Sequence, residues 1–317
     1  MIKIKIGIIG VGRWGKKHID EYSKMKDIEL YISDIREEKL REVKEKYNIK
    51  KVTTNYNDVL SSDVEAVNIC TSNNTHYKIC KDALLSGKNV LVEKPLTLNP
   101  KEAYELVDIA KQQNKILAVG HIFRYNNAIN HVKKLITEDY FGDLFYLRLQ
   151  WTVQWMIGLY PDKDLDIIVD MMPHMYDIMN YLTGLWPKNI TCTAKAYMKK
   201  EFEDTAYIIC EFPNNILTHT EISWTLPEKV RKIDVIGRNA TAKIQATKQT
   251  VEIFEKSNEA KKIDIKPNNT LKDELNTFID AVKKGKKLTN DGLVGAKTVE
   301  LMNKTRESLE KNTTIKV

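Results

Sequence analysis

The chain has 317 residues, 42% apolar and 29% charged, an ordinary globular composition whose length gives room for two domains, each with its own core. The net charge of +7 comes from lysines interleaved with glutamates, as in Arg36-Glu37-Glu38-Lys39, which argues against a nucleic-acid partner while still favouring an anionic small substrate. No segment approaches the apolar run of about eighteen residues that a membrane helix needs. The opening stretch is too short and too interrupted by Lys3 and Lys5 for a signal peptide, and Cys70, Cys80, Cys192 and Cys210 form no C-x-x-C pair. A cytoplasmic protein with reduced core cysteines, no metal and no membrane partner is expected.

Ile4 to Ile9 reads as a strand that runs into Gly10-Val11-Gly12-Arg13-Trp14-Gly15 and then a helix from Lys16 to about Lys26. This is G-x-G-x-x-G with a strand before it and a helix after it. Gly10 permits the tight turn, Gly12 lets backbone approach a pyrophosphate, and Gly15 allows close packing of helix on strand. A second strand, Ile28 to Ser33, ends on Asp34, nineteen residues after Gly15, where a carboxylate can accept from the adenosine ribose hydroxyls. Asp34 would repel a 2′-phosphate, so NAD is favoured over NADP, although Arg36 two residues later softens that preference.

A helix over Arg36 to Tyr47, a short strand near Val52, a helix-like Tyr56 to Leu60 and a buried strand Ala66 to Cys70 follow. Thr71-Ser72-Asn73-Asn74-Thr75-His76 is a polar loop whose groups can cap the next helix or touch a cofactor. That helix, Tyr77 to Ser86, closes at Gly87, an expected left-handed cap. The apolar run Asn89 to Val92 then reads as a buried parallel strand stopped by Pro95. Lys94 is thus delivered at a strand's carboxyl end, where ligand crevices of open α/β sheets lie; a plain surface lysine is the alternative. A helix over Pro100 to Gln113 and a strand Ile116 to Gly120 complete a doubly wound pattern.

From about Phe145 the pattern alternates, with strands expected at Phe145 to Val153, Ile190 to Tyr197, Ala206 to Phe212, Ile216 to Trp224, Lys232 to Ile236 and Ala242 to Ala246. Such a run implies a large, mostly antiparallel sheet whose open face suits a subunit interface, giving a homodimer or homotetramer. Between the first two strands, Asp166 to Asp177 opens a helix to Leu182. Proline is tolerated in the first helical turn, so Pro173 places the helix start near Asp170, with His174 ending the first turn. Asp170, His174 and Asp177 then share one face. Asp170 as N-cap with His174 as packed core is one reading. The other is a proton acceptor held neutral near a helix's positive end. Amphipathic Leu271 to Lys284 and a last helix to about Glu310 close the chain.

The glycine loop, Thr71 to His76, Glu93-Lys94-Pro95 and Val119-Gly120-His121-Ile122-Phe123-Arg124-Tyr125 resemble the glucose-fructose oxidoreductase, inositol dehydrogenase and rhizopine-catabolism family of NAD(P)-dependent sugar oxidoreductases. The resemblance covers nearly the whole chain, and it implies an α/β fold: a Rossmann domain over 1–121 and an α+β domain with a large open sheet over 122–317, the last helices free to pack back on the first domain. It implies that Lys94 lies beside the nicotinamide and the substrate hydroxyl, and that Asp-x-x-x-His supplies His174 as the catalytic base with Asp170 as its supporting acid. Arg13, Trp14, Thr71, Ser72, Asn73, His76, Glu93 and His121 then fall on the cofactor side and Arg124 on the substrate side. Ser223 to Arg231, Trp14 in the glycine loop and Pro173 before the histidine are similar to a subgroup that oxidises the C3 hydroxyl of UDP-N-acetylated hexosamines and hexosaminuronates. Lys229 and Arg231 could bind its diphosphate, or be solvated strand charges. Thr152 to Lys163 departs from that subgroup, which leaves open a free polyol or inositol dehydrogenase, or a sugar ketoreductase. Relatives that bind NAD(P) as regulators lack the lysine and histidine, which are both present here.

Overall fold

A computed structural model describes residues 3–153, 166–198, 202–255 and 259–317. The chain divides into two compact units, residues 1–122 with 270–299, and residues 123–269 with 300–317.

In the first unit, β1 (Ile4–Ile9), α1 (Arg13–Ser23), β2 (Ile28–Ser33), α2 (Glu37–Lys46), β3 (Lys51–Thr53), α3 (Asn57–Leu60), β4 (Ala66–Ile69), α4 (His76–Leu85), β5 (Asn89–Val92), α5 (Pro100–Gln112) and β6 (Leu117–Val119) alternate along the chain. The strands form one parallel sheet in the order β3-β2-β1-β4-β5-β6. Ile6, Ile8, Val67, Ile69, Val90 and Val92 are fully buried or nearly so, as strands covered on both faces require. The strand order reverses between β1 and β4, and at such a switch point the strand ends open a ligand crevice. Helix α1 faces the sheet with Gly15, His18, Ile19 and Tyr22, a helical stripe in which two members are polar. Gly87 takes the expected left-handed conformation, φ 71°.

In the second unit, α6 (Asn127–Thr137), β7 (Leu144–Thr152), α7 (Ile167–Thr183), β8 (Asn189–Lys195), β9 (Thr205–Glu211), β10 (Leu217–Ser223), β11 (Arg231–Gly237), β12 (Thr241–Gln245), β13 (Thr250–Phe254) and β14 (Ala260–Ile263) follow. The chain then gives α8 (Thr270–Lys284), α9 (Gly292–Lys311) and β15 (Ile315–Lys316). Helix α8 belongs to the first unit, where the neighbouring Asn290 donates to the Val119 carbonyl at 2.7 Å and to Glu274 at 3.2 Å. Nine strands form the second sheet, β14-β13-β12-β11-β7-β10-β9-β8-β15; β7 and β10 run parallel and the other pairs antiparallel. Leu147, Leu149 and Trp151 are fully buried on one face of β7, where α7 packs, while Tyr146 and Arg148 are exposed on the other.

Helix α7 corrects the expected start near Asp170. It begins a turn earlier, at Ile167, because the Asp166 carboxylate accepts from the Val169 N–H at 2.8 Å and caps it, while Ile167, Ile168 and Val169 bury apolar surface. Pro173 therefore sits inside the helix, where its ring leaves the bond to the Val169 carbonyl unmade. His174 thus lies beyond the first turn, out of reach of the helix's positive end. Helix α6 and strands β13 to β15 lie outside the elements expected from sequence. Thr250–Phe254 carries a buried-exposed alternation, whereas Ala260–Ile263 is an exposed edge strand without an apolar pattern.

Candidate active site

Gly10 turns the chain after β1 with φ +96°, and a Cβ there would lie 2.7 Å from the Cys70 backbone. At Gly15 a Cβ would stand 1.9 Å from the Gly10 carbonyl oxygen, so helix and loop approach as closely as backbone allows. A Cβ at Gly12 would meet nothing nearer than 3.9 Å; Gly12 is the N-cap of α1 with no side chain to satisfy the first-turn N–H groups. Those donors, the dipole end and the open approach fit a dinucleotide pyrophosphate.

Asp34 ends β2 as expected, buried, and accepts four hydrogen bonds: from the Val11 N–H at 2.6 Å, the Arg36 N–H at 3.0 Å, and Arg36 Nε and Nη2 at 2.9 and 3.1 Å. Burial alone would raise its carboxyl, yet the Arg36 guanidinium and the two backbone donors win and hold it below its ordinary value. Asp34 thus fastens the glycine loop through Val11 and holds Arg36 in a fork. Arg13 is exposed, and Trp14 carries the Lys17 ammonium 4.2 Å from its ring centre.

Thr71, Ser72 and Asn73 lie on the partly exposed loop after β4. Thr75 sits at the N-cap position of α4 but does not cap it; its hydroxyl contacts Thr71 Oγ1 and the Ser72 carbonyl, both at 2.7 Å. His76 is fully buried, Nδ1 2.8 Å from the Pro95 carbonyl and Nε2 3.2 Å from that of Thr71. Burial pushes its pKa below the ordinary value, against the pull of the two carbonyls. The ring braces the β4 loop against the turn that carries Lys94, whose peptide to Pro95 is cis. Lys94 is half-buried at the carboxyl end of β5. Glu93, before it, is buried and joins His18 at 3.0 Å, and His121 is fully buried after β6.

In the second unit His174 is buried with its ring edge-on to Phe123, centroids 5.1 Å apart. Phe123 meets Trp151 edge-on at 4.7 Å, and the Arg231 guanidinium lies over both rings, at 5.1 and 5.0 Å. Strand register explains the cluster, since Arg231 pairs directly with Trp151. Asp170 precedes His174 by one turn of α7. Lys229 is exposed, two residues before Arg231. Arg124 is buried in an ion pair with Asp177 at 2.6 Å and also donates to Asn180 at 3.0 Å, its guanidinium 5.0 Å from the Tyr181 ring centre. Most of Thr152 to Lys163 lies outside the described residues.

Phe123, Trp151, His18 and Asn68 escaped the sequence reading. The last had a signal, a lone polar residue in the apolar run Ala66 to Cys70. All four cysteines are free and buried, and burial pushes the Cys192 and Cys210 thiols up to about 12, so none is a nucleophile. Among the described residues no His, Cys, Asp and Glu grouping could hold a metal, and no helix is long and apolar enough to cross a membrane.

Residues 4–121 match the oxidoreductase family with an NAD-binding Rossmann fold, and residues 129–243 match the GFO/IDH/MocA C-terminal domain. UDP-N-acetylglucosamine 3-dehydrogenase of Acidithiobacillus ferrooxidans is 26% identical to the chain across 98% of each protein. Myo-inositol 2-dehydrogenase of Thermotoga maritima is also 26% identical, across 99% of this chain and 98% of its own. A solved structure of the Acidithiobacillus enzyme superposes with a TM-score of 0.87 at 25% identity, covering 98% of this chain and 99% of that one. With the glycine cradle and Asp34 in place, NAD is the cofactor of the first unit, and the chain is a sugar oxidoreductase belonging to the GFO/IDH/MocA family.

Proposed function

We propose that the protein oxidises a secondary hydroxyl of a nucleotide sugar, C3 of a UDP-N-acetylhexosamine such as UDP-N-acetylglucosamine, and releases the 3-keto sugar nucleotide. The observation that carries this reading is Arg231, held over Phe123 and Trp151, with His174 edge-on to the same Phe123 ring, a cation in the cluster that holds the base and one that suits a diphosphate-bearing substrate. Similarity to the UDP-N-acetylglucosamine enzyme over nearly the full length of both chains supports it. NAD, when bound, supplies the hydride acceptor.

The chain's own residues handle position and protons. His174 takes the proton of the reacting hydroxyl, and the Lys94 ammonium donates to the oxygen as negative charge develops there. Asp170, one turn before His174, supports the imidazolium that forms. Thr71, Ser72 and Asn73 line the dinucleotide with the glycine loop, while His76 and Glu93 hold the Lys94 turn from below. Arg124 acts on the site by fixing α7 through Asp177, and Lys229 adds charge at the diphosphate. Tyr146, Tyr207, Ile209 and Leu217 are each nearly half exposed on the outer face of the second sheet, a surface suited to a second copy of the chain.

The second reading is a free polyol dehydrogenase, favoured by the equal identity to the myo-inositol enzyme. Mixing the protein with NAD and either UDP-N-acetylglucosamine or myo-inositol, and following reduced nicotinamide, separates the two. Reduction with the polyol alone would reverse the first choice.

A further inference from the structure

Beneath the Lys94 turn, Glu93 ends a chain of buried polar groups whose other members the reaction as described does not use. The Tyr22 hydroxyl donates to Asn68 Oδ1 at 3.2 Å, Asn68 Nδ2 lies 3.0 Å from His18 Nδ1, and His18 Nε2 lies 3.0 Å from Glu93 Oε1. All four side chains are at most 7% exposed. The order of donors sets the tautomer: Asn68 gives its amide hydrogen to Nδ1, which leaves the His18 proton on Nε2, pointing at the Glu93 carboxylate. Room for that carboxylate is kept by Gly120, where a Cβ would press to 3.2 Å from Glu93 Oε2.

The chain joins elements with different tasks. His18 and Tyr22 stand on α1, the helix whose N-terminus would receive the pyrophosphate, Asn68 on β4, and Glu93 immediately before Lys94. Apolar residues would fill this space at lower desolvation cost, and a satisfied buried network instead fixes one geometry. We propose that Tyr22, Asn68 and His18 are positioning residues that act through Glu93, tying the cofactor helix to the Lys94 turn and so setting the direction in which the lysine leaves its strand. This rests on the reading of Lys94 as the group that holds the reacting oxygen.

The test measures kcat, KM, NAD affinity and melting temperature for His18→Leu, His18→Gln, Glu93→Gln, the double variant His18→Leu/Glu93→Gln, and Lys94→Ala as reference, together with imidazole 15N shifts of the parent protein. A misdirected lysine should lower kcat about 100-fold in His18→Leu, with KM and NAD affinity within about threefold because ground-state binding is untouched. Glutamine keeps a donor near the Nε2 position, so His18→Gln should recover most of the rate. The double variant should be no slower than the slower single one, since both act through one carboxylate. The imidazole 15N shifts should show His18 as the Nε2–H tautomer, a readout that needs no turnover and survives a His18→Leu variant that fails to fold. Parent kcat in folded His18→Leu, additive losses in the double variant, a Gln variant no better than Leu, or an Nδ1–H tautomer would each overturn the proposal. Parent rate in Lys94→Ala would instead refute the catalytic reading, leaving the tautomer and the stability of the variants to judge the chain.

Discussion

Truncating Arg124 to alanine should cost the second unit much of its stability. The Arg124 and Asp177 side chains are 6% and 1% exposed and meet at 2.6 Å, so removing the guanidinium leaves a carboxylate buried without its countercharge. Breaking such a pair costs about 3–5 kcal/mol, and the Tyr181 contact adds about 0.5–2 kcal/mol when desolvated. A loss of about 5 kcal/mol, at about 2–4 °C per kcal/mol for a unit of this size, lowers the melting temperature by about 10–20 °C. Thermal and urea unfolding would measure it. Asp177→Asn should fall in the same direction, and Arg124→Met with Asp177→Leu should recover part of the loss, because two apolar groups leave no buried charge. A melting temperature within about 2 °C of the parent, with a raised KM for the sugar, would refute this reasoning and make Arg124 a substrate ligand rather than the anchor of α7.

Asp34→Asn removes the charge proposed to accept from the ribose hydroxyls and frees the Arg36 fork; NAD affinity should fall about 10- to 100-fold and the preference for NAD over NADP should narrow, as titration of both dinucleotides would show. His76 is held below its ordinary pKa of 6.5 by burial, so its contribution to stability is complete above that value. As pH falls through 6.5 the unfolded chain takes up a proton that the folded one refuses, and stability drops by up to about 1.4 kcal/mol per pH unit until the folded pKa is reached. His76→Asn should flatten that slope in urea titrations across the same range. Ile209→Glu puts a charge on the outer sheet face and should convert an oligomer to a monomer in analytical ultracentrifugation; an unchanged mass would move the interface elsewhere.

The first unit was legible because its signals are local. Glycines at forced backbone positions, apolar runs bounded by turns and an acidic residue at the end of β2 each follow from the few residues around them. The second sheet was legible where strands alternate, and β14 was not, because an exposed edge strand such as Ala260–Ile263 carries no apolar period. The start of α7 was misjudged by treating Pro173 as a boundary. The Asp166 cap and three buried aliphatic residues outweigh one missing helical hydrogen bond, and that balance depends on packing the sequence does not display. The His174, Phe123, Trp151 and Arg231 cluster arises from strand register and a turn after β6, and the His18, Asn68 and Glu93 chain joins residues up to 75 positions apart. Only the oddity of Asn68 inside one apolar run and Glu93 at the end of another hinted at it.

Formation of reduced nicotinamide from NAD and UDP-N-acetylglucosamine, with a keto acceptor added so that retained cofactor cannot hide turnover, tests the central claim most directly. The parent protein should reduce NAD with the nucleotide sugar, and Lys94→Ala and His174→Asn should bind NAD normally while losing about 100-fold or more of the rate. Parent turnover in either variant, or reduction with myo-inositol and none with the nucleotide sugar, would contradict it.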